Sequence, residues 1–534
     1  MSARFAFGTA LLLAAGLAHG ATGPMGYADA RHLLARTGFG PTDAEVRAVA
    51  GLTREQAVAA LLRDVRIAAA TPPPAWALET GPTGAPRGDN SSEEARRAYR
   101  QLQIRHDVEL RSWWLQEMLT TTSPLTERMT LFWHNHFVSS HQKVRVARYM
   151  YTQNALLRTH ALGNFGAMLH AVSRDPAMLI YLDGAQSRKG QPNENFAREV
   201  MELFTLGEGH YHEQDIKEAA RAFTGWSIDR DAGQFMFRPG IHDDGVKTVL
   251  GTSGRFDGDA VLDLLLARPQ TSEFVTAKLW REFVSPEPDA REVKRIAQIF
   301  RGRNLDVKVV LRALLQSNAF WAAENRGALV KSPVELVVGT LRQLELAPAA
   351  ATPFAIAATG MGQVLLSPPN VKGWPGGNVW INATTLLARK QFLDRLVRVA
   401  DAPAPTMTAT AAGTGALPMS AGGEAVAARM ADLTPPTAAV NAAIAAAIPP
   451  TEVEENKARA RRAAQALERG MRNLQFDAAM WVAHRQGDTP AARMNAAQTL
   501  LLPLPAVTAE VAGADVDAAS FVRATLLDPA YQLK

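Results

Sequence analysis

Helical spacing of apolar residues recurs along most of this chain and restricts it to a largely α-helical fold. The pattern from Glu93 to Thr120 predicts one long helix. Asn193 and Gly207 stand at the two ends of another, as an N-cap and a C-terminal glycine. Strand-like alternation is convincing only at Gln234 to Arg238 and at Val246 to Leu250, which together predict one hairpin. We therefore expect a mostly α protein, with a large helical domain and a small β-hairpin.

The composition is that of a globular protein and excludes several classes of function. Of the 534 residues, 47% are hydrophobic and 20% are charged. The formal net charge of +5 is small for this length, and no Lys/Arg-rich run is interleaved with aromatic residues, so we expect no nucleic-acid partner. The chain has no cysteine, which excludes disulfides and thiolate metal sites and leaves packing to supply the stability.

The first 20 residues have the pattern of a secretory signal peptide. Arg4 supplies a positive charge, Phe5 to Ala18 is apolar, and Ala18-His19-Gly20 places small residues at the cleavage positions. The apolar stretch is shorter than the roughly 20 residues of a membrane-spanning helix. We expect a periplasmic or secreted protein, with residues 1–20 removed and no membrane span afterwards.

Three further parts complete the predicted domain organisation. Residues 21–400 carry the strong helical patterns and form the core domain. Residues 401–450 are rich in Ala, Pro, Thr and Gly, which is typical of a linker or an insertion. Residues 451–534 form a C-terminal helical segment. We expect it to dock back on the core, because apolar side chains such as Phe521 and Tyr531 would otherwise be exposed.

Three short segments mix polar and large apolar residues closely enough to mark either a site or a buried polar lattice. They are Phe132 to Phe137, Asn193 to Gly207, and Pro368 to Asn382. Polar groups are costly to bury unless they find partners. The first two segments each carry an apolar stripe with polar groups set among it, so we expect them to pack against each other.

His134 and His136 are candidate metal ligands in the first segment. On a continuous helix, residues two positions apart point about 200° from one another, so both bind one metal only if the helix ends near His134. Neutral core histidines and acid–base groups are the alternatives for this pair. His242 and Asp243, expected at the hairpin tip, complete the candidate set for a divalent metal, with a simple turn cap as the alternative role of Asp243.

Glu199 and Glu202 are the candidate catalytic carboxylates, together with His136. They lie three positions apart and therefore share a helix face, which suits an acid–base pair or a metal. Arg198 precedes Glu202 by four positions and favours instead an ion-pair network that holds helices together. The signatures Glu-x-x-His and His-Glu-x-x-His are absent from the sequence.

The loop from Pro368 to Asn382 is the candidate substrate-binding element. Its indole faces, with one lysine and one asparagine, could receive a sugar ring. The alternative is a proline-stiffened loop that its own indoles pin into the core. The residues concerned are Lys372, Trp374, Trp380 and Asn382.

Several motifs in this order resemble the bacterial family called domain of unknown function 1800. The motifs that carry the resemblance are the three segments above, Tyr27 to Pro41, His242-Asp243-x-Gly245-x-Lys247, and Lys331-Ser332-Pro333-x-Glu335-Leu336. The resemblance covers about residues 25 to 398 and reappears at the end of the chain. It implies an exported protein of uncharacterised activity. Because the family's genes often neighbour those of a phosphatase-like family, it also implies a phosphatase-like exported partner.

Two classes of function follow, and whether the protein is an enzyme stays open between them. The first is an accessory or assembly factor for the phosphatase-like partner. The second is a metal-assisted envelope hydrolase acting on a glycan or an ester, for which His134, His136 and Glu199 or Glu202 must meet around one point. The motifs Gly-x-Ser-x-Gly, Walker A and Gly-x-Gly-x-x-Gly are all missing, which favours the accessory factor.

Overall fold

The protein is mostly α-helical with two small antiparallel sheets, as the sequence predicts. The computed structural model describes residues 23–81, 92–400, 461–462, 464–508 and 516–534. The expected signal peptide (1–20) and linker (401–450) lie outside the described residues. Within the described ranges, no helix combines the length and the hydrophobicity that crossing a membrane requires.

The helix boundaries follow local capping signals. Ser92 accepts a hydrogen bond from the backbone N–H of Ala95 at the start of the long helix, whose predicted bounds are confirmed. Asn193 caps the next predicted helix by accepting from the N–H of Asn195. In chain order the α-helices are α1 (Gly26–Thr37), α2 (Asp43–Ala50), α3 (Arg54–Arg63), α4 (Glu93–Thr120), α5 (Pro124–His136), α6 (His141–Val144), α7 (Ala147–His160), α8 (Phe165–Ser173), α9 (Pro176–Tyr181), α10 (Glu194–Glu199), α11 (Glu213–Ala222), α12 (Gly258–Ala267), α13 (Pro269–Phe283), α14 (Ala290–Gly302), α15 (Val307–Leu315), α16 (Asn318–Trp321), α17 (Pro333–Gln343), α18 (Thr352–Gly360), α19 (Ala383–Ala400), α20 (464–472), α21 (Ala478–Ala483), α22 (Pro490–Leu501) and α23 (Ala518–Leu527).

The strands pair differently from the sequence prediction. The two predicted strands are present as β2 (Gln234–Phe237) and β3 (Lys247–Val249), but they do not pair with each other. Instead, β2 pairs with the preceding β1 (Trp226–Asp229), and β3 pairs with the following β4 (Thr252–Gly254).

The turns explain this correction. The Asp229 carboxylate accepts from the N–H groups of Asp231 and Ala232 and closes the first hairpin locally. The second hairpin turns at Leu250 and Gly251, both with positive φ, which is the geometry of a tight two-residue hairpin loop. Because leucine rarely adopts positive φ, the sequence does not predict that turn.

The C-terminal segment docks on the core, as expected. Helix α23 packs against α19 and α21, and Phe521, Leu526 and Tyr531 are buried. The hydroxyl of Tyr531 lies 2.8 Å from that of Thr340 in α17. This docking places the side chain of Lys534 beside the start of α17, where the candidate site lies.

Shortening one buried side chain of α23 tests how much this docking stabilises the protein. Leu526→Ala should lower the free energy of unfolding by about 2–5 kcal/mol, because Leu526 is fully buried. Leu387→Ala, on the partner helix α19 but 43% exposed, is the matched control and should change it by less than about 0.5 kcal/mol. Urea denaturation followed by circular dichroism measures both, and equal effects would contradict a packed C-terminal segment.

Candidate functional site

The last turn of α5 carries His134 and His136, and the helix continues through both. Their rings therefore point to different sides, as helical geometry requires. The ring of His134 packs between those of Trp114 and Trp374, with centroids 5.6 and 5.7 Å away, and neither of its nitrogens has a hydrogen-bond partner among the described residues. Burial lowers the pKa of His134 to about 3, so the ring is neutral at physiological pH.

His136 links the second segment to a lysine of α13. Its Nε2 lies 3.1 Å from the carbonyl oxygen of Phe204, and its Nδ1 lies 3.1 Å from Nζ of Lys278. Since a carbonyl only accepts, Nε2 carries the proton and Nδ1 accepts from the lysine. Burial, and then the charge of Lys278, lower the pKa of His136 well below its ordinary value. The expected packing of the first two segments is confirmed, with a polar link to a backbone carbonyl.

The carbonyl groups of Leu203 and Phe204 can accept these hydrogen bonds because of the way the second segment ends. Helix α10 continues over Val200–Thr205 as a π-helix, and Gly207 follows with a φ of +80°. Carbonyls in the last turn of a helix lack partners within it. Lys278 therefore donates to the carbonyl of Leu203 at 3.2 Å, next to the carbonyl that His136 uses.

Asn135 fixes the third segment against α5. Its Oδ1 accepts from the backbone N–H of Trp374 at 2.6 Å, and its Nδ2 donates to the carbonyl of the same residue at 3.3 Å. Gly373 has a φ of +83°, and a Cβ at that position would lie 2.2 Å from Oδ1 of Asn135. A larger residue would therefore displace either the loop or the side chain that holds it. The three segments of the sequence analysis thus converge on one turn of helix.

A cavity of about 430 Å³ lies between α5, α13, the start of α17 and the loop of residues 368–382. Its wall combines cationic, acidic and aromatic side chains. The cations are Arg128, Lys278, Arg281, Lys372 and Lys534, the carboxylates are Glu282 and Glu335, and the aromatic rings include Phe132, Trp374 and Trp380.

Both carboxylates of the cavity wall already have cationic partners. Glu335 forms ion pairs with Arg128 and with Lys534. Arg128 also pairs with Glu282, at 2.5 Å. Burial alone would raise the pKa of Glu335, but the charges of Arg128 and Lys534 outweigh burial and hold it below its ordinary value. Glu335 is therefore ionised, and both carboxylates are already engaged.

Lys278 and Arg281 are left without a carboxylate partner. They lie three positions apart on α13 and share one face of it. The amine of Lys278 donates only to neutral acceptors. Arg281 is exposed, and its side chain makes no hydrogen bond or ion pair with any residue that the structure describes. Burial, and then the charge of Arg281, lower the pKa of Lys278 to about 8. This face of the cavity carries an excess of positive charge, which favours anions.

The candidate carboxylates Glu199 and Glu202 do not line this cavity. Glu202 accepts a hydrogen bond from the hydroxyl of Tyr211. Glu199 is buried, and burial, followed by the charge of Glu202, raises its pKa. Arg198 pairs with Glu213, at 2.7 Å, rather than with Glu202. Their catalytic role with His136 stays a prediction, since no contact in the described structure joins them to that histidine.

His242 and Asp243 lie between β2 and β3, in a polar cluster of their own. Nδ1 of His242 donates to the carbonyl of Thr224 at 2.8 Å. The Asp243 carboxylate binds Arg221 and accepts from the N–H of Gly245 at 3.0 Å. Arg221 chiefly lowers the pKa of Asp243 to about 2. The structure does not bring these residues together with the histidines of α5, and among the described residues no three His, Cys, Asp or Glu side chains form a group that could hold a metal ion.

Three of the four predicted substrate-binding residues line the cavity. They are Lys372, Trp374 and Trp380, although both indoles are largely buried. Asn382 instead accepts from the N–H of Thr385 at 3.0 Å and caps the start of α19.

The fold and cavity define a mostly α-helical protein with a cationic site at a helix junction. A family model described as "Protein of unknown function (DUF1800)" matches residues 32–532. The chain belongs to this family. No curated protein and no solved structure matches it.

Placing a Cβ at Gly373 tests the attachment of the loop. Gly373→Ala should lower the free energy of unfolding by about 1–3 kcal/mol more than Gly209→Ala, because only the first Cβ meets Asn135. Gly373 and the exposed Gly209 have φ values of +83° and +82°, so both variants carry the cost of a positive φ, about 1–2 kcal/mol. Chemical denaturation of both proteins gives the comparison, and equal losses would argue against the contact.

The neutral state of His134 predicts a pH dependence of stability. The unfolded chain binds a proton on this ring below about pH 6.5, whereas the folded protein resists protonation until about pH 3. The stability that His134 contributes is thus present above about pH 6.5 and is lost as the pH falls from 6.5 towards 3. His134→Leu should reduce the slope of unfolding free energy between pH 6 and pH 4 by about 1.4 kcal/mol per pH unit. Identical slopes in the two proteins would show that His134 is protonated when folded.

Proposed function

We propose that this protein binds an organic anion in the cavity between α5, α13 and the loop of residues 368–382. The observation that carries the proposal is the unmatched charge of Lys278 and Arg281. The carboxylates that could neutralise them, Glu282 and Glu335, are already engaged by Arg128 and Lys534. A bound anion would supply the missing negative charge.

The remaining wall suggests what the anion is attached to. Phe132, Trp374 and Trp380 add apolar surface to the cavity beside the cations. Sites for organic ligands commonly combine an apolar lining with a few oriented polar groups. A phosphate or carboxylate attached to a ring or other apolar body therefore suits the cavity better than a free inorganic ion.

We further propose that the protein acts after export, as an accessory factor that binds this ligand for a phosphatase-like partner. The signal-peptide pattern of residues 1–20 supports export. A cationic cavity is suited to phosphorylated compounds, which are the ligands expected of such a partner. The metal-assisted hydrolase receives no support of this kind, because the described residues do not bring His134, His136 and Glu199 or Glu202 around one point.

Calorimetric titration with phenyl phosphate tests anion binding. Removing either unmatched cation, by Lys278→Met or Arg281→Ala, should weaken binding about 10-fold to 100-fold, since a hydrogen bond to a charged group contributes about 1.5–3 kcal/mol. Arg291→Ala, on the exposed face of α14 and outside the cavity wall, is the matched control and should bind normally. Phenol, which lacks the charge, should bind much more weakly than phenyl phosphate.

The proposal would be wrong if neither phenyl phosphate nor phenylacetate bound to the wild-type protein. It would also be wrong if Arg281→Ala and Arg291→Ala weakened binding equally, because the effect would then be one of overall charge.

A further inference from the structure

The amine of Lys278 has surroundings that do not require it to be charged. Its Nζ donates to Nδ1 of His136 and to the carbonyl of Leu203, both neutral acceptors. A neutral amine has two N–H groups and one lone pair, whereas an ammonium has three N–H groups and no lone pair. Two acceptors therefore satisfy the neutral amine and leave its lone pair free, whereas the ammonium has a third N–H for an anion. Because the pKa of Lys278 is lowered to about 8, both forms exist near neutral pH.

The same amine belongs to the wall of the cavity and lies against an aromatic ring. Nζ is 4.9 Å from the centroid of Phe274, which lies one turn before Lys278 on α13. Lysine amines become nucleophiles when burial or a neighbouring cation disfavours their charged form, and burial followed by the charge of Arg281 lowers the pKa of Lys278 here. Arg281, one turn further along the same face, lines the same cavity, and its charge acts on this amine.

We propose that Lys278 forms an imine with the carbonyl group of an oxo acid bound in this cavity, while Arg281 binds the ligand's carboxylate. This inference rests on the proposed function, because the same cationic face holds the ligand. It adds a covalent step that anion binding alone does not require.

The step balances without any further reactant. The lone pair of Nζ attacks the carbonyl carbon, a C–N bond forms, and the C–O π bond opens. Both hydrogens of the neutral amine leave with the former carbonyl oxygen as one molecule of water, which leaves a C=N bond. Nδ1 of His136 accepts a hydrogen bond from the amine and thereby orients its lone pair, while the nitrogen's proton passes to the departing hydroxyl.

Reductive trapping tests the imine on the full chain. Glyoxylate with sodium cyanoborohydride should attach a carboxymethyl group to Lys278 at least tenfold faster than to Lys294, an exposed lysine of α14 that serves as the internal control. Propionaldehyde, which lacks a carboxylate, should lose this preference. Phenyl phosphate should protect Lys278 and leave Lys294 unaffected. Peptide mass spectrometry quantifies each site.

Two measurements on the wild-type protein separate the two proposals. Calorimetric titration with phenyl phosphate reports anion binding, and the labelling ratio of Lys278 to Lys294 reports the imine. Equal labelling of Lys278 and Lys294 in a wild-type protein that binds phenyl phosphate would overturn the imine and leave anion binding intact. Failure to bind phenyl phosphate would overturn the proposed function itself.

Discussion

The candidate site depends on one turn of helix, the C-terminal turn of α5. Asn135 holds the backbone of Trp374 with two hydrogen bonds, and the next residue, His136, bonds to the carbonyl of Phe204 and to Lys278. Two consecutive residues thus attach two different walls of the cavity to one rigid element. Since His134 is packed between indoles on the other side, the turn cannot rotate without breaking contacts in several directions at once.

Charge balance is the second constraint, and it gives the cavity its chemistry. Buried charges are tolerated only when paired, and the start of α17 meets this condition with the network of Arg128, Glu335 and Lys534. Glu282 and Glu335, the two acidic groups of the cavity wall, are both occupied by ion pairs with Arg128 or Lys534. Lys278 and Arg281 on the neighbouring helix α13 then donate hydrogen bonds only to neutral acceptors and solvent. Because these ion pairs leave no carboxylate for Lys278 and Arg281, the surface beside them favours an anionic ligand.

Much of the fold could be predicted because its signals are local. The bounds of α4, the Asn193 cap and the docking of α23 all follow from capping and from apolar periodicity within a few turns of chain. The site was predictable only in part. Lys278 and Arg281 look like the solvent face of any amphipathic helix, and only the distant pairing of Glu282 with Arg128 shows that they are unmatched. The positive φ of Leu250, which decides the strand pairing, likewise has no sequence signal.

If an anion binds between Lys278 and Arg281, as we propose, anomalous diffraction can locate it directly. Crystals of the full chain, soaked in sodium benzeneseleninate, an aryl anion with selenium in its charged group, would be measured at the selenium absorption edge, with crystals of Arg281→Ala as the reference. We predict an anomalous peak in the cavity beside Nζ of Lys278 and the guanidinium of Arg281, and its loss in the variant. A wild-type cavity without a peak, with the seleninate bound only outside the cavity, would contradict anion binding at this site.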